Sequence, residues 1–269
     1  IITNIPNAII AFVIVLNTVI IPNNKYNDAI ALMDAGNIVG AYEALVALDG
    51  YKDSSDKASS IYDKYNMEKL KVAKVGDYVF FGAYEQDNNT SNGKEDIEWL
   101  VLEVKDGKAL VISKYALDCI QYNTSYTNVT WETCTLRKWL NNDFINAAFS
   151  ADEKAMIPTV TVSADKNPGC STDPGNATQD QVFLLSITEA NKYFSSDSAR
   201  QCKPTDYAVA NGARESDDGN CRWWLRSPGY YQHNAACIWC AGDVNEFGYD
   251  VDYGDLGVRP ALWIDLSEV

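Results

Sequence analysis

Trp223-Trp224-Leu225-Arg226-Ser227-Pro228-Gly229 and Gly257-Val258-Arg259-Pro260-Ala261-Leu262-Trp263 bracket a stretch of quite different character. Val244, Val251 and Val258 recur at intervals of seven residues, interspersed with Gly242, Gly248 and Gly254. That is the rhythm of short strands joined by tight glycine turns. Residues 230–257 carry six aromatics (Tyr230, Tyr231, Trp239, Phe247, Tyr249, Tyr253), five acids (Asp243, Glu246, Asp250, Asp252, Asp255) and no Lys or Arg.

The brackets read as a frame. Arg226 and Arg259 stand in apolar surroundings, beside Trp224 and Ala261. A buried Arg is costly unless paired, and its planar fork binds several carbonyls at once, which suits pinning irregular loops. Arg226 and Arg259 are therefore expected to be structural, with Trp224 in the core. The enclosed residues have the chemistry of a paratope, since Tyr and Trp give large contact area at low entropy cost. The expected ligand-binding set is Tyr230, Tyr231, His233, Cys237, Trp239, Glu246, Phe247, Tyr249, Asp250, Asp252, Tyr253 and Asp255. Period two puts Cys237 and Trp239 on one side of a strand, and Ala236, Ile238 and Cys240 on the other. The valines should face the core and Asp250 and Asp252 should face out. Tyr249 and Tyr253 would share the valine side unless turns at Gly248 and Gly254 re-aim them.

Upstream, the pattern is mixed α+β from about residue 75. Asp77-Tyr78-Val79-Phe80-Phe81-Gly82, Trp99-Leu100-Val101-Leu102-Glu103-Val104 and residues 109–113 are β-like, and Lys105-Asp106-Gly107-Lys108 is a hairpin turn. Residues 133–149 are helical, with Leu136, Trp139, Leu140 and Phe144 on one side. A further short helix opens at Ser150. Val182-Phe183-Leu184-Leu185 is a buried strand, and Ser186 with Glu189 has capping-box spacing for the next helix.

The first part of the chain differs. Residues 1–24 carry no charge, and 8–21 read AIIAFVIVLNTVII. A membrane span needs about 20 apolar residues. Residues 1–24 are expected to be a membrane anchor or its remnant, and not a signal peptide, since no small-x-small cleavage site follows the apolar run. Residues 25–70 show helical spacing broken at Gly36-Asn37 and Asp49-Gly50, and resemble a single tetratricopeptide-like unit serving as a stalk. The head is assigned to residues 75–269.

Charge and composition exclude several classes. Lys plus Arg is 22 and Asp plus Glu 37, for a net charge of -15 over 269 residues. The acidity is concentrated after residue 74, and it disfavours nucleic acid as a partner. The single histidine, His233, rules out multi-histidine metal sites. There is no Walker loop, G-x-S-x-G, G-x-G-x-x-G or H-E-x-x-H.

The bracket motifs, with TLRKWLNNDFINAAFS, FLLSITEANKYF and PTDYAVANGA upstream, resemble a family of bacterial extracellular domains of unassigned function with a C-type-lectin-like fold. The resemblance spans roughly residues 75–266. Some members look like the variable proteins of diversity-generating retroelements, in which a short C-terminal cassette is rewritten at adenines while the fold holds its backbone. The resemblance implies an α+β, C-type-lectin-like head whose cassette forms a ligand-binding face. The fold is also shared with formylglycine-generating enzymes, which use a cysteine pair near the C-terminus.

The seven cysteines leave at least one unpaired if disulfides form, and Cys202 with Cys221 is a plausible bridge across one loop. Cys237-Ile238-Trp239-Cys240 is a lone C-x-x-C, without the further ligands zinc requires. Acids at 243–255 could be offered to calcium or to glycosidase chemistry, yet any acidic surface would serve as well. The reading is a non-catalytic, receptor- or adhesin-like surface protein with a protein or glycan ligand. The membrane is its partner through the N-terminal segment, and no cofactor or metal is expected. The alternatives are an oxidase related to formylglycine generation and a purely structural surface domain.

Overall fold

The computed structural model describes residues 20–267. The chain forms two compact units that divide between Val72 and Ala73.

In the first unit, α1 (Ile21–Asp34) carries Pro22 in its first turn, where the missing N–H costs nothing. Gly36 ends it at φ +77°. The Asn37 N–H donates to the Leu32 carbonyl and the Gly36 N–H to Met33, the paired bonds of a glycine-closed helix end. Asn37 then caps α2 (Ile38–Val46) by accepting from the Gly40 N–H at 3.0 Å. Asp49 and Gly50 take positive φ before α3 (Ser54–Lys71). Ala29, Ala41, Leu45, Ala58 and Ile61 make the core, and the Tyr42 ring stacks on Tyr65 at 4.1 Å. No helix among the described residues is long and apolar enough to cross a membrane. The anchor expected over 1–24 lies outside the described residues except for 20–24, and Ile21, Pro22, Asn23 and Asn24 open α1.

The second unit is mixed α+β. One sheet has the order β1-β2-β3-β12-β7, from β1 (Tyr78–Tyr84), β2 (Glu95–Lys105), β3 (Lys108–Ser113), β12 (Ala261–Asp265) and β7 (Val182–Phe183), all antiparallel. Asp106 and Gly107 both have positive φ, as a tight β2–β3 hairpin requires. Ile97, Trp99 and Val101 alternate into the core from β2, and the Trp99 indole donates to the Phe81 carbonyl at 2.7 Å. The last strand, β12, is not at an edge: Leu262 pairs with Val111 on one side and Val182 on the other.

The other large sheet has the order β10-β9-β8-β11-β4, from β4 (Asp118–Cys119), β8 (Trp223–Pro228), β9 (Asn234–Ile238), β10 (Val244–Asp250) and β11 (Gly257–Val258). A short pair joins β5 (Val160–Val162) to β6 (Thr178–Asp180). The helices are α4 (Thr135–Trp139), running through a π turn (Leu140–Phe144) into α5 (Ile145–Ala148), then α6 (Ala151–Ala155), α7 (Ile187–Tyr193), α8 (Asp197–Arg200) and α9 (Asp206–Ala210). Ser186 and Glu189 form the capping box that their spacing predicts for α7.

Candidate ligand-binding face

The bracket motifs become the buried part of the second sheet. Every residue of β8 is buried. Trp224 donates to the Ile120 carbonyl at 3.1 Å and meets Tyr122 edge-on, and Tyr122 in turn donates to the Arg226 carbonyl at 2.9 Å. Arg226 is 3% exposed. Its guanidinium donates to the carbonyls of Ser163 (3.2 Å) and Leu184 (2.9 Å) and pairs with Glu189 and Asp165. Arg259 is also buried. It donates to the Ser113 carbonyl at 2.8 Å and lies 5.0 Å from the Trp223 ring centroid and 5.3 Å from that of Phe194. Both forks thus tie loops to the sheet, as their planar donors suit them to do.

From this frame β9 and β10 run outward. Their register breaks between Asn245 and Tyr249. At the break Gly248 takes φ +72°, and a Cβ there would collide with the Ala235 carbonyl. The bulge turns the Phe247 side chain into solvent, where it is 69% exposed. Opposite it, the turn after β8 exposes Tyr230 and Tyr231. This turn is held from beneath. Asn167, 2% exposed, donates to the carbonyls of Pro228 (2.8 Å) and Glu246 (2.7 Å), and Thr172 donates to those of Gly229 and Tyr230.

The exposed rings touch one another, with the half-buried His233 linking Tyr231 to Tyr126. Phe247 lies 5.4 Å from Tyr230, Tyr230 4.8 Å from Tyr231, Tyr231 5.4 Å from His233, and His233 4.7 Å from Tyr126. These aromatics form a continuous rail. A second group stacks Tyr253 on Tyr249 at 5.2 Å and sets Trp239 5.9 Å from Tyr249. The Arg222 guanidinium lies 4.8 Å from the Tyr249 centroid, donates to its hydroxyl, and pairs with Asp255 at 2.8 Å. Burial raises the Tyr249 hydroxyl, with Arg222 opposing it. Beside Trp239 opens a cavity of about 360 Å³ lined by Arg214, Glu215, Ser216, Asp217, Arg222 and Cys240.

Several expected contact residues are placed otherwise. Cys237 is fully buried, between Trp224 and Asn245 on the neighbouring strands, so its sulfur does not reach the surface. Burial pushes its thiol up to about 12. Asp255 is engaged by Arg222, and Asp250 accepts from the Asn234 amide at 2.7 Å. Asp250, Asp252 and Glu246 are half-buried, and Val251 is buried beside them. The turn after β10 separates Tyr253 from Val251 and returns its ring to Tyr249. Tyr126, Arg222, Asn167 and Thr172 belong to the face or its support without having been expected there. Only Asn167 carried a local signal, the Asn167-Pro168-Gly169 turn.

A family profile matches residues 106–266, which include both brackets and the rail. The chain belongs to the DUF6273 family, described as a domain of unknown function. No curated protein and no solved structure matches it. The DUF6273 region thus begins in the β2–β3 turn, and β1 and the whole of β2 complete its first sheet from outside the matched span.

Proposed function

We propose that the DUF6273 head is a non-catalytic ligand-binding domain. Its contact surface is the aromatic rail Tyr126–His233–Tyr231–Tyr230–Phe247, with Trp239, Tyr249 and Tyr253 alongside. One observation carries this reading: exposed aromatic rings in mutual contact stand on a turn and a bulge fixed by buried polar clamps. Large rings held rigid lose little entropy on binding, which is what makes such residues anchors. Thiol oxidation is the weaker reading, because Cys237 is buried with a raised pKa. The lectin-like architecture belongs to the same proposal. A mixed α+β head whose last strand returns into the first sheet is compatible with it.

Display outside the cytoplasm is supported by the charge-free segment 1–24. Diversification of the cassette would be marked by a nearby DNA near-copy of codons 229–262 that differs at adenines. The binding reading is tested by probing the full chain on glycan and protein arrays. A reproducible ligand should lose at least about tenfold in affinity when Tyr231→Ala and Phe247→Ala are combined. A chain that binds no array component, or binds one without regard to these rings, would overturn it.

A further inference from the structure

The rail is built from sequence segments that converge from three places. Tyr126 comes from the loop after β4, the clamps Asn167 and Thr172 from the loop between β5 and β6, and the remaining rings from the turn and bulge of β8–β10. The surrounding sequence shares one property. Residues 115–136, 167–191 and 227–258 contain no Lys and no Arg.

The same segments supply acids at the border of the rail. Gln232, in the turn between Tyr231 and His233, donates to the carbonyls of Val129 and Asp173, and with Glu132 and Asp173 lines an open cavity of about 380 Å³. Asp173 is exposed and Glu132 half-buried. Glu246 precedes Phe247 in β10 and sets its carboxylate against Gly169 of the loop that clamps the rail, and Asp250 is bonded to Asn234. Salt bridges among the described residues do not include Glu132, Asp173, Glu246 or Asp250. Asp180 and Glu189 from the same segments, by contrast, are taken up by Arg137 and Arg226.

Ring faces and carboxylates attract the same kind of group. The face of an aromatic ring draws a cation through its quadrupole, and guanidinium does this best because it also stacks. Uncompensated carboxylates around the rings add a long-range field that repels anions and steers cations inward. A neutral sugar would use the rings and leave the acids without purpose, and a polyanion would be repelled.

We infer that the occupant of this face is an arginine-rich, cationic polypeptide segment, held by stacking on the Tyr230–Tyr231–Phe247 rings and by the acids that flank them. The inference rests on the binding-face reading above and narrows it to a partner chemistry. The acidic border excludes acidic partners, and the rings select guanidinium over ammonium.

The test uses the full chain with labelled oligo-arginine, oligo-lysine and oligo-glutamate peptides of equal length, measured by fluorescence anisotropy at low and raised salt. Oligo-arginine should bind more tightly than oligo-lysine, oligo-glutamate should not bind, and salt should weaken the complex. Tyr231→Ala combined with Phe247→Ala leaves the net charge unchanged and should weaken oligo-arginine about tenfold. Asp173→Asn combined with Glu246→Gln keeps the rings and should weaken both cationic peptides. If oligo-arginine binds wild type and the ring variant equally, the attraction is general charge alone and the inference falls. If cationic peptides do not bind but a neutral glycan does, and loses affinity in the ring variant, the cationic partner falls while the binding face stands. If no peptide, glycan or array protein responds to the ring variant, both fall together.

Discussion

Gly242 lies so close to Asp197 that a Cβ built on it would overlap the Asp197 carbonyl oxygen. Gly242 also holds φ +93° in the β9–β10 turn, and its own carbonyl accepts from the Arg200 guanidinium at 2.8 Å. Steric and conformational constraints coincide at this position. Gly242→Ala should destabilise the head by about 2–4 kcal/mol. Urea unfolding monitored by tryptophan fluorescence would read this as a lower midpoint at unchanged slope. A midpoint equal to that of wild type would mean that the β9–β10 turn does not rest on α8.

Arg226 stands between Glu189 and Asp165 with its guanidinium nearly closed to solvent. Removing it leaves carboxylates without their counter-charge and carbonyls without a donor. Arg226→Ala should cost about 3–5 kcal/mol. Arg226→Lys should recover little of that, because an ammonium cannot reach Ser163, Leu184 and Glu189 in one plane. Thermal unfolding of the two variants side by side is the measurement, and a fully stable Lys variant would show that charge alone suffices.

Sequence reading reached the frame better than the surface. The Ser186–Glu189 box and the Asp106-Gly107 turn were legible because capping and positive φ are local demands on residue type. The arginines of the brackets could be expected to need partners. Which partners could not be read, since Glu189 and Asp165 reach Arg226 only through the folded chain. Tyr126 was invisible for a similar reason. It sits in a loop with no periodicity, and only the fold carries it to His233. Cys237 failed in the opposite sense. Alternation grouped it with Trp239, but β9 ends at Ile238 and Trp239 stands exposed in the turn, while Cys237 is covered between Trp224 and Asn245 of the neighbouring strands. Alternation reports facing, not covering.

Cys202 and Cys221 are buried, with the Cys221 N–H donating to the Cys202 carbonyl at 2.8 Å and their sulfurs in hydrogen-bond contact. Burial raises the Cys202 thiol, but the bond from Cys221 and the Arg259 charge outweigh it and hold it below the ordinary thiol range. Cys221, the donor, is raised. Once local opening of the fold admits it, oxidised glutathione should join these two cysteines, releasing two glutathione thiols, faster as pH rises and the Cys202 thiolate forms. Peptide mapping should find the 202–221 cross-link first. Preferential joining of Cys237 to Cys240 would contradict this.

The lone C-x-x-C makes an independent prediction about reactivity. Cys240 is half-buried and Cys237 is enclosed, with its thiol pushed up to about 12 mainly by burial. In the native state at mildly alkaline pH, iodoacetamide should label Cys240 well before Cys237. Quantitative mass spectrometry would check the order. Faster labelling of Cys237 would revive thiol chemistry at this pair.

The seat of β12 between β3 and β7 has a consequence for any alteration upstream of it. Residues 261–265 are translated after the whole aromatic cassette, yet they join strands made long before it. A frameshift or stop codon anywhere in 229–256 would delete that keystone, leave β7 without a partner and strip β3 of one of its two. Misread copies would be lost to unfolding, while in-frame side-chain exchanges at the rail would leave the keystone in place. Stability of this sheet therefore depends on an intact reading frame through residues 229–256, and is far less sensitive to which side chains stand at the exposed rail.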